Sequence, residues 1–355
     1  MNEMEDFLQN YKQRSTYLSY KSHLNKFHRV TKTNPDFYFK RKRNYENDVK
    51  KFWSVMMDNS EPPLNIRNAL SVVKQYLEEN DKIISKRIWK NLRNKTKGTE
   101  PLTQDRIPTT NELKKILSHA TAKERAVFLL SVCSGMRIKE ILLLKKENID
   151  FKTNTIYIPG IITKSGNKRI SFFTDEAKEA IISWLDIRKN YLDTAYRKTR
   201  NKYKDGKKIF AVNKKNDRLF PFTYSPTREA WIRLIKKAGL NQKDPTTGNY
   251  IYHIHCLRKF MKTRLLNEGI PETKVNVIIG QKNYLGSSYI RFTEQELRDA
   301  YKHGEKELFI FQKMPDLSGI HAELDDKDKR IQELESTLDK ILRNKLIQDM
   351  LEQNK

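Results

Sequence analysis

One Ile-rich stretch with period-two alternation, TIYIPGIITKSGNKRISFF (155–173), lies in a chain whose other apolar residues recur at three-and-four spacing. Alternation of this kind suits a strand and helical spacing does not. With turns at Pro159-Gly160 and Ser165-Gly166-Asn167, the stretch predicts two or three short antiparallel strands. The expected fold class is therefore mainly α with a small antiparallel β-sheet.

The helical pattern falls into blocks. Tyr17, Tyr20, Leu24 and Phe27 share one helix face. Val49, Phe52, Trp53 and Met56 mark a second helix over 48–57, and Ile66, Leu70, Val73 and Leu77 a third over 65–79, after a break at Pro62-Pro63. Between the first two, Lys40-Arg41-Lys42-Arg43 is a candidate phosphate contact on a loop or a helix start. Residues 91–110 lack apolar periodicity and carry Gly98, Pro101 and Pro108, which predicts a basic interdomain linker. The expected divisions are a helical domain over 1–97, a linker over 98–108, a second domain over 109–310 and a separate helix over 320–355. Thr109-x-x-Glu112 and Thr293-x-x-Glu296 are capping boxes that open helices. Ala177, Ile181, Ile182 and Leu185 predict one buried face of a helix after Thr174-Asp175. Residues 193–218 read as a basic loop with a short ordered piece, and helices follow near 226–238 and 255–268. Leu324, Ile331 and Leu338 recur at sevenfold spacing in the last segment, too briefly to define more than a candidate coiled coil.

Charge narrows the partner. The chain has 355 residues, with 70 Lys and Arg against 44 Asp and Glu, a formal net charge of +26. Residues 320–355 hold seven basic and nine acidic side chains, so they are net −2 and the remainder carries +28. Such an excess favours a polyanion, because each neutralised phosphate releases condensed counterions. A generic basic or RNA-binding protein satisfies the same balance. The two cysteines, Cys133 and Cys256, form no Cys-x-x-Cys pair and no ligand-spaced cluster with the seven histidines, so no metal and no cofactor are expected. The start MNEMEDFLQNYKQRS lacks an apolar core of signal-peptide length, and no run has the length of a membrane span. The expectation is a soluble protein of a reducing, cytoplasmic compartment.

Four segments carry candidate chemistry: SGMRIKEILLL, IITKSGNKRISFF, HIHCLRKF and IIGQKNYLGSSYIRF. Arg137 follows Gly135 at a helix start, where a guanidinium can fork two hydrogen bonds onto a phosphate. Glu140 either braces that arginine or forms a surface ion pair. Lys164 stands on the predicted hairpin turn, with Lys168 as its rival. His255 and Arg258 are three apart and share a helix face. Gln281 follows Gly280, and Tyr289 lies eight residues further on; Tyr284 and Tyr301 are alternatives to it.

Taken in order, these segments resemble the tyrosine recombinase (phage integrase) family. Gly135-x-Arg137-x-x-Glu140-x-x-x-Leu144 is similar to its first arginine box, His255-x-Leu257-Arg258 to its H-x-L-R box, and Tyr289-Ile290-Arg291 to the surroundings of its nucleophile. The resemblance implies a two-domain clamp on double-stranded DNA, with an N-terminal helical core-binding domain and a catalytic domain, active as a tetramer on paired sites close to the nucleoid. It also implies roles. Arg137 and Arg258 would hold the scissile phosphate, Lys164 would protonate the leaving 5′ oxygen, and His255 would accept the tyrosine proton or contact the phosphate. Tyr289 would form a 3′-phosphotyrosyl bond. The family carries His or Trp where this chain has Gln281, and an amide donates a hydrogen bond but shuttles no proton at neutral pH. That departure passes the task to Lys282 or leaves a catalytically idle DNA-binding regulator. A type IB topoisomerase, which uses the same chemistry, is the further alternative.

Overall fold

The computed structural model describes residues 3–98, 103–199, 203–204, 207–208, 213–281 and 292–311. Within them the chain is mainly helical with a small antiparallel sheet, as the alternation predicts. It divides into two compact units, Met1–Gln104 with Lys243–Asn249, and Asp105–Gln242 with Tyr250–Lys355.

The first unit is built on α1 (Glu3–Gln9), α2 (Arg14–Thr31), α3 (Tyr45–Asp58), α4 (Pro63–Glu79) and α5 (Lys86–Lys95). Pro63 supplies the first residue of α4, where a missing N–H costs nothing because that donor has no helical partner. Leu24 and Phe27 of α2, Phe52 and Met56 of α3, and Val73, Tyr76 and Leu77 of α4 make one core. Two expectations change here. The stretch read as linker begins as helix, since α5 runs to Lys95 and buries Leu92. Of the basic cluster at 40–43, Arg43 forks onto Asp48 at 2.9 and 3.0 Å, and Tyr38 donates to the same carboxylate. Arg43 thus holds the entry of α3 and is not free for a phosphate. The 243–249 turn groups with this unit because Asp244 accepts the Gln104 N–H at 3.0 Å while also accepting those of Thr246 and Thr247.

The second unit contains α6 (Thr110–Ser118), α7 (Ala122–Ser134) and α8 (Ile138–Ile141), then β1 (Ile149–Asp150), β2 (Thr155–Ile158) and β3 (Arg169–Phe172). The three strands pair antiparallel in sequence order, with Ile156 opposite Ser171 and Ile158 opposite Arg169. Next come α9 (Asp175–Thr199), the short strands β4 (Tyr203–Lys204) and β5 (Lys207–Lys208), α10 (Tyr224–Lys237), α11 (His255–Asn267), α12 (Glu272–Ile279) and α13 (Glu294–Gly304). Helix α7 is buried almost all round, through Val127, Phe128, Leu130 and Cys133, and so serves as the centre on which the others pack. Both capping boxes form, at Thr109/Glu112 and Thr293/Glu296.

Helix α9 departs from its expected form twice. It continues through 193–199, a stretch read as loop. Its buried face is Ala177, Ile181, Trp184, Arg188 and Leu192, whereas Ile182 is 43% exposed. One residue is a 100° step around a helix, so two adjacent isoleucines cannot both face the core. Arg188 explains the extra length. Its guanidinium donates to the carbonyls of Asn216, Arg218 and Leu219, and Trp184 Nε1 also donates to Leu219 O at 2.9 Å, so α9 staples the 216–220 segment. Ile181→Ala is therefore expected to cost about 2–4 kcal/mol of unfolding free energy and Ile182→Ala less than about 0.5 kcal/mol, as read by urea denaturation.

Candidate active site

The site is assembled around the turn between α7 and α8. Gly135 adopts φ +59°, which ends α7 and brings the backbone close to its neighbours: a β-carbon there would lie 2.9 Å from Ile279 Cγ2 and 3.0 Å from Met261 Sδ. Arg137, two residues on, is extended at φ −68°, ψ 137° and caps α8. Glu140 closes the turn. Its carboxylate accepts the Arg137 N–H at 3.2 Å and Arg137 Nη1 at 3.0 Å. Only 2% of Glu140 is exposed, so the reading of a surface ion pair is corrected: it is a buried brace.

Glu140 has a second partner that sequence reading missed. Arg169, at the start of β3, donates Nη2 to Glu140 Oε2 at 2.5 Å. The signal lay in the alternation. Arg169 and Ser171 share one face of β3, and Ser171 is fully buried, donating to Ser134 O at 2.9 Å. Two polar residues on an inward face require polar partners in the same place.

Arg258 meets this cluster from α11. It is 7% exposed, and its Nη1 donates at 2.7 Å both to Gly135 O and to Ile279 O, tying α11 to the α7–α8 turn and to the end of α12. Carbonyls orient a guanidinium without neutralising it. Burial, and then the charges of Arg137 and Arg169, push the Arg258 pKa down to about 10 against the opposing pull of Glu140. Two arginines thus share one carboxylate, and Arg258 stands beside them on carbonyls. The charged state of Arg258 is therefore disfavoured relative to a solvated arginine.

His255 opens α11 and is exposed. Partial desolvation, then Arg258, His253, Lys259 and Arg137, hold its imidazole below the ordinary value, so it stays neutral to lower pH than usual. Its ring lies parallel to that of His253 at 6.3 Å. Lys164 is exposed on the turn between β2 and β3, as is Lys168. Gln281 is exposed just beyond α12, its N–H bound to Asn276 O at 2.9 Å. Tyr289, Lys282 and Tyr284 lie outside the described residues. Tyr301 is sealed in the core with its hydroxyl donating to Cys133 O at 3.1 Å, and burial raises its pKa well above 10, which removes it as an alternative nucleophile. The structure therefore brings Arg137, Arg258 and His255 within electrostatic reach of one another and adds Arg169 and Glu140.

Folding also creates a grouping that the linear sequence hides. Donor atoms of Asp105, His253 and Cys256 lie within 4.8 Å of one another. Their chemistry is that of an ion pair rather than of a metal centre. Lys259 Nζ sits 2.5 and 2.7 Å from the two Asp105 oxygens, His253 Nε2 occupies one of them at 3.0 Å, and burial pushes the Cys256 thiol up to about 11.

Residues 102–294 match the model of the phage integrase family. The chain is 28% identical over 211 residues to tyrosine recombinase XerC of Bacillus pumilus (strain SAFR-032), covering 57% of this chain and 63% of that one. It is 26% identical over 192 residues to tyrosine recombinase XerA of Saccharolobus solfataricus (strain ATCC 35092 / DSM 1617 / JCM 11322 / P2), covering 54% and 53%. The matched stretch thus spans less than two thirds of either relative. Among solved structures, a lambda integrase(75-356) dimer bound to a COC′ core site is similar with a TM-score of 0.52 at 15% identity, covering 82% of this chain and 98% of that one. The Tn1549 transposon integrase (aa 82-397) in complex with circular intermediate DNA is similar with a TM-score of 0.52 at 16% identity, covering 84% and 98%. At these identities the structures share the fold. Because the family model accounts for more than half of its residues, this chain belongs to the phage integrase family.

Proposed function

We propose that the chain is a site-specific DNA recombinase that cuts and rejoins double-stranded DNA through a 3′-phosphotyrosyl intermediate. The observation that carries this reading is that Arg137 and Arg258 meet at one turn where the only carboxylate bonded among the described residues, Glu140, is already shared with Arg169, which leaves a surplus of positive charge that calls for a phosphate. Arg137 and Arg258 hold the nonbridging oxygens of the scissile phosphate. The Tyr289 phenol attacks phosphorus and passes its proton to His255, while the bond to the 5′ oxygen breaks and that oxygen takes a proton from Lys164. Gln281 donates a hydrogen bond to the phosphate. The phosphotyrosyl bond keeps the energy of the diester, so a 5′ hydroxyl of a partner strand can reverse the step without ATP. Double-stranded DNA is the partner, and a homotetramer on paired sites is the working assembly; the similar solved structures are themselves DNA complexes. No described helix is long and apolar enough to cross a membrane.

The reading predicts a denaturation-resistant protein–DNA band on a nicked suicide duplex that carries the chain's own site, formed by wild type and lost in Tyr289→Phe. Arg137→Lys should slow it at least about 100-fold, since a point charge does not replace the planar fork. A Tyr289→Phe protein that still forms the band refutes the nucleophile. Gln281 favours one competing reading, an idle DNA-binding regulator, for which wild type binds its site and forms no band.

Two solution measurements follow from the charges. Because the His255 pKa is lowered, the neutral base survives as pH falls through 6.5, and the acid limb of adduct formation should lie below that value. His255→Gln should flatten the limb. Inorganic sulfate at about ten times its dissociation constant should raise the Tm of wild type by about 2–4 °C, and that gain should vanish in Arg258→Gln, as followed by thermal denaturation.

A further inference from the structure

Arg169 is held on two sides. Its Nη2 bonds Glu140, the carboxylate that also braces Arg137. Its Nε is buried with no acceptor among the described residues. Its guanidinium lies against Gly280, where a β-carbon would fall 2.6 Å from Nε, 2.7 Å from Cδ and 2.8 Å from Cζ. The seat is thus set by the Glu140 carboxylate on one side and the Gly280 backbone on the other. Gly280 ends α12: its N–H bonds Val277 O and that of Gln281 bonds Asn276 O, so the guanidinium fits under the point from which Gln281 departs.

The other end of Arg169 is its backbone, at the foot of the Lys164 turn. This turn is a closed unit. A β-carbon on Gly160 would meet Gly166 O at 2.2 Å, which shows how tightly the two sides approach. The Thr163 N–H bonds Gly160 O at 3.0 Å, and its hydroxyl lies between Gly160 O and Asn167 O, at 2.9 and 3.1 Å. The loop is thus cross-braced from within, and its exit into β3 is Arg169, opposite Ile158.

We infer that Arg169 is a positioning residue, which registers the Lys164 turn against the Arg137–Arg258 pair through Glu140 and against the end of α12 through Gly280. The inference rests on the function proposed above. Arg169 touches no reacting atom. It carries the placement of the α7–α8 turn to the hairpin, so that the ammonium of Lys164 reaches the leaving oxygen.

The test separates positioning of the acid from support of the arginines. Nicked suicide duplexes are made on the sequence that wild type selects from a randomised DNA pool, with either oxygen or sulfur at the bridging 5′ position. A thiolate leaves without a proton, so the sulfur duplex bypasses Lys164. Arg169→Lys, which keeps a cation on Glu140 but loses the flat guanidinium, is the deciding variant, with Arg169→Gln beside it. Both should form the adduct about 100-fold more slowly than wild type on oxygen DNA, and return to within about tenfold of it on sulfur DNA, as Lys164→Ala should. Arg137→Lys should stay slow on both. Rescue of Lys164→Ala without rescue of Arg169→Lys, or an Arg169→Lys protein as fast as wild type on oxygen DNA, overturns the inference alone. A Lys164→Ala protein that sulfur does not rescue, or a wild type that forms no adduct on either duplex, overturns the proposed function and the inference with it.

Discussion

The carboxylate of Glu140 decides the arrangement of everything around it. A buried carboxylate is costly unless charged donors surround it, and here one oxygen accepts from the Arg137 side chain while the other accepts from Arg169 and from the Arg137 backbone. The three bonds come from the α7–α8 turn and from β3, elements far apart in sequence. Glu140 therefore does two things at once. It makes the burial of polar groups tolerable, and it fixes the distance between a helix start and a strand.

Much of this architecture was legible in the sequence, for reasons that are themselves physical. Helical faces such as Leu24–Phe27 and the capping boxes at Thr109 and Thr293 depend on neighbours three or four residues away, so local pattern reports them. The same holds for His255 and Arg258, one turn apart on α11. What escaped depends on partners distant along the chain. Ile181 and Ile182 are chemically identical, and only the packing of α9 on α7 decides which is inside. Residues 193–199 continue a helix whose middle is held by Arg188 on the 216–219 carbonyls, a contact without a sequence signature. Arg43 looked like a free cation until Asp48 took it. Arg169 looked like one more basic residue in a basic turn.

The grouping of 243–249 with the first unit has the same origin. Asp244 is an ordinary turn aspartate by local rules, accepting N–H groups two and three residues ahead. Its other oxygen reaches the Gln104 N–H, and with the bonds of Thr103 to Thr247 and Asn249 it joins the turn to a chain segment 140 residues earlier. Local chemistry placed the turn; it could not say what the turn would hold.

The two ways of holding an arginine in this site have different consequences. Arg137 is held by a carboxylate, which orients it and cancels much of its field. Arg258 is held by the carbonyls of Gly135 and Ile279, which orient it nearly as firmly and cancel little. A pocket made only of carboxylate-held arginines would be well ordered and weakly attractive to an anion. A pocket made only of carbonyl-held ones would attract strongly, yet burial and mutual repulsion would work against folding. Using one carboxylate for two arginines and leaving the third on carbonyls keeps a surplus of positive charge in a fixed geometry. The depressed pKa of Arg258 is the mark of that compromise, since burial and two cationic neighbours oppose a charge that the carbonyls leave uncancelled.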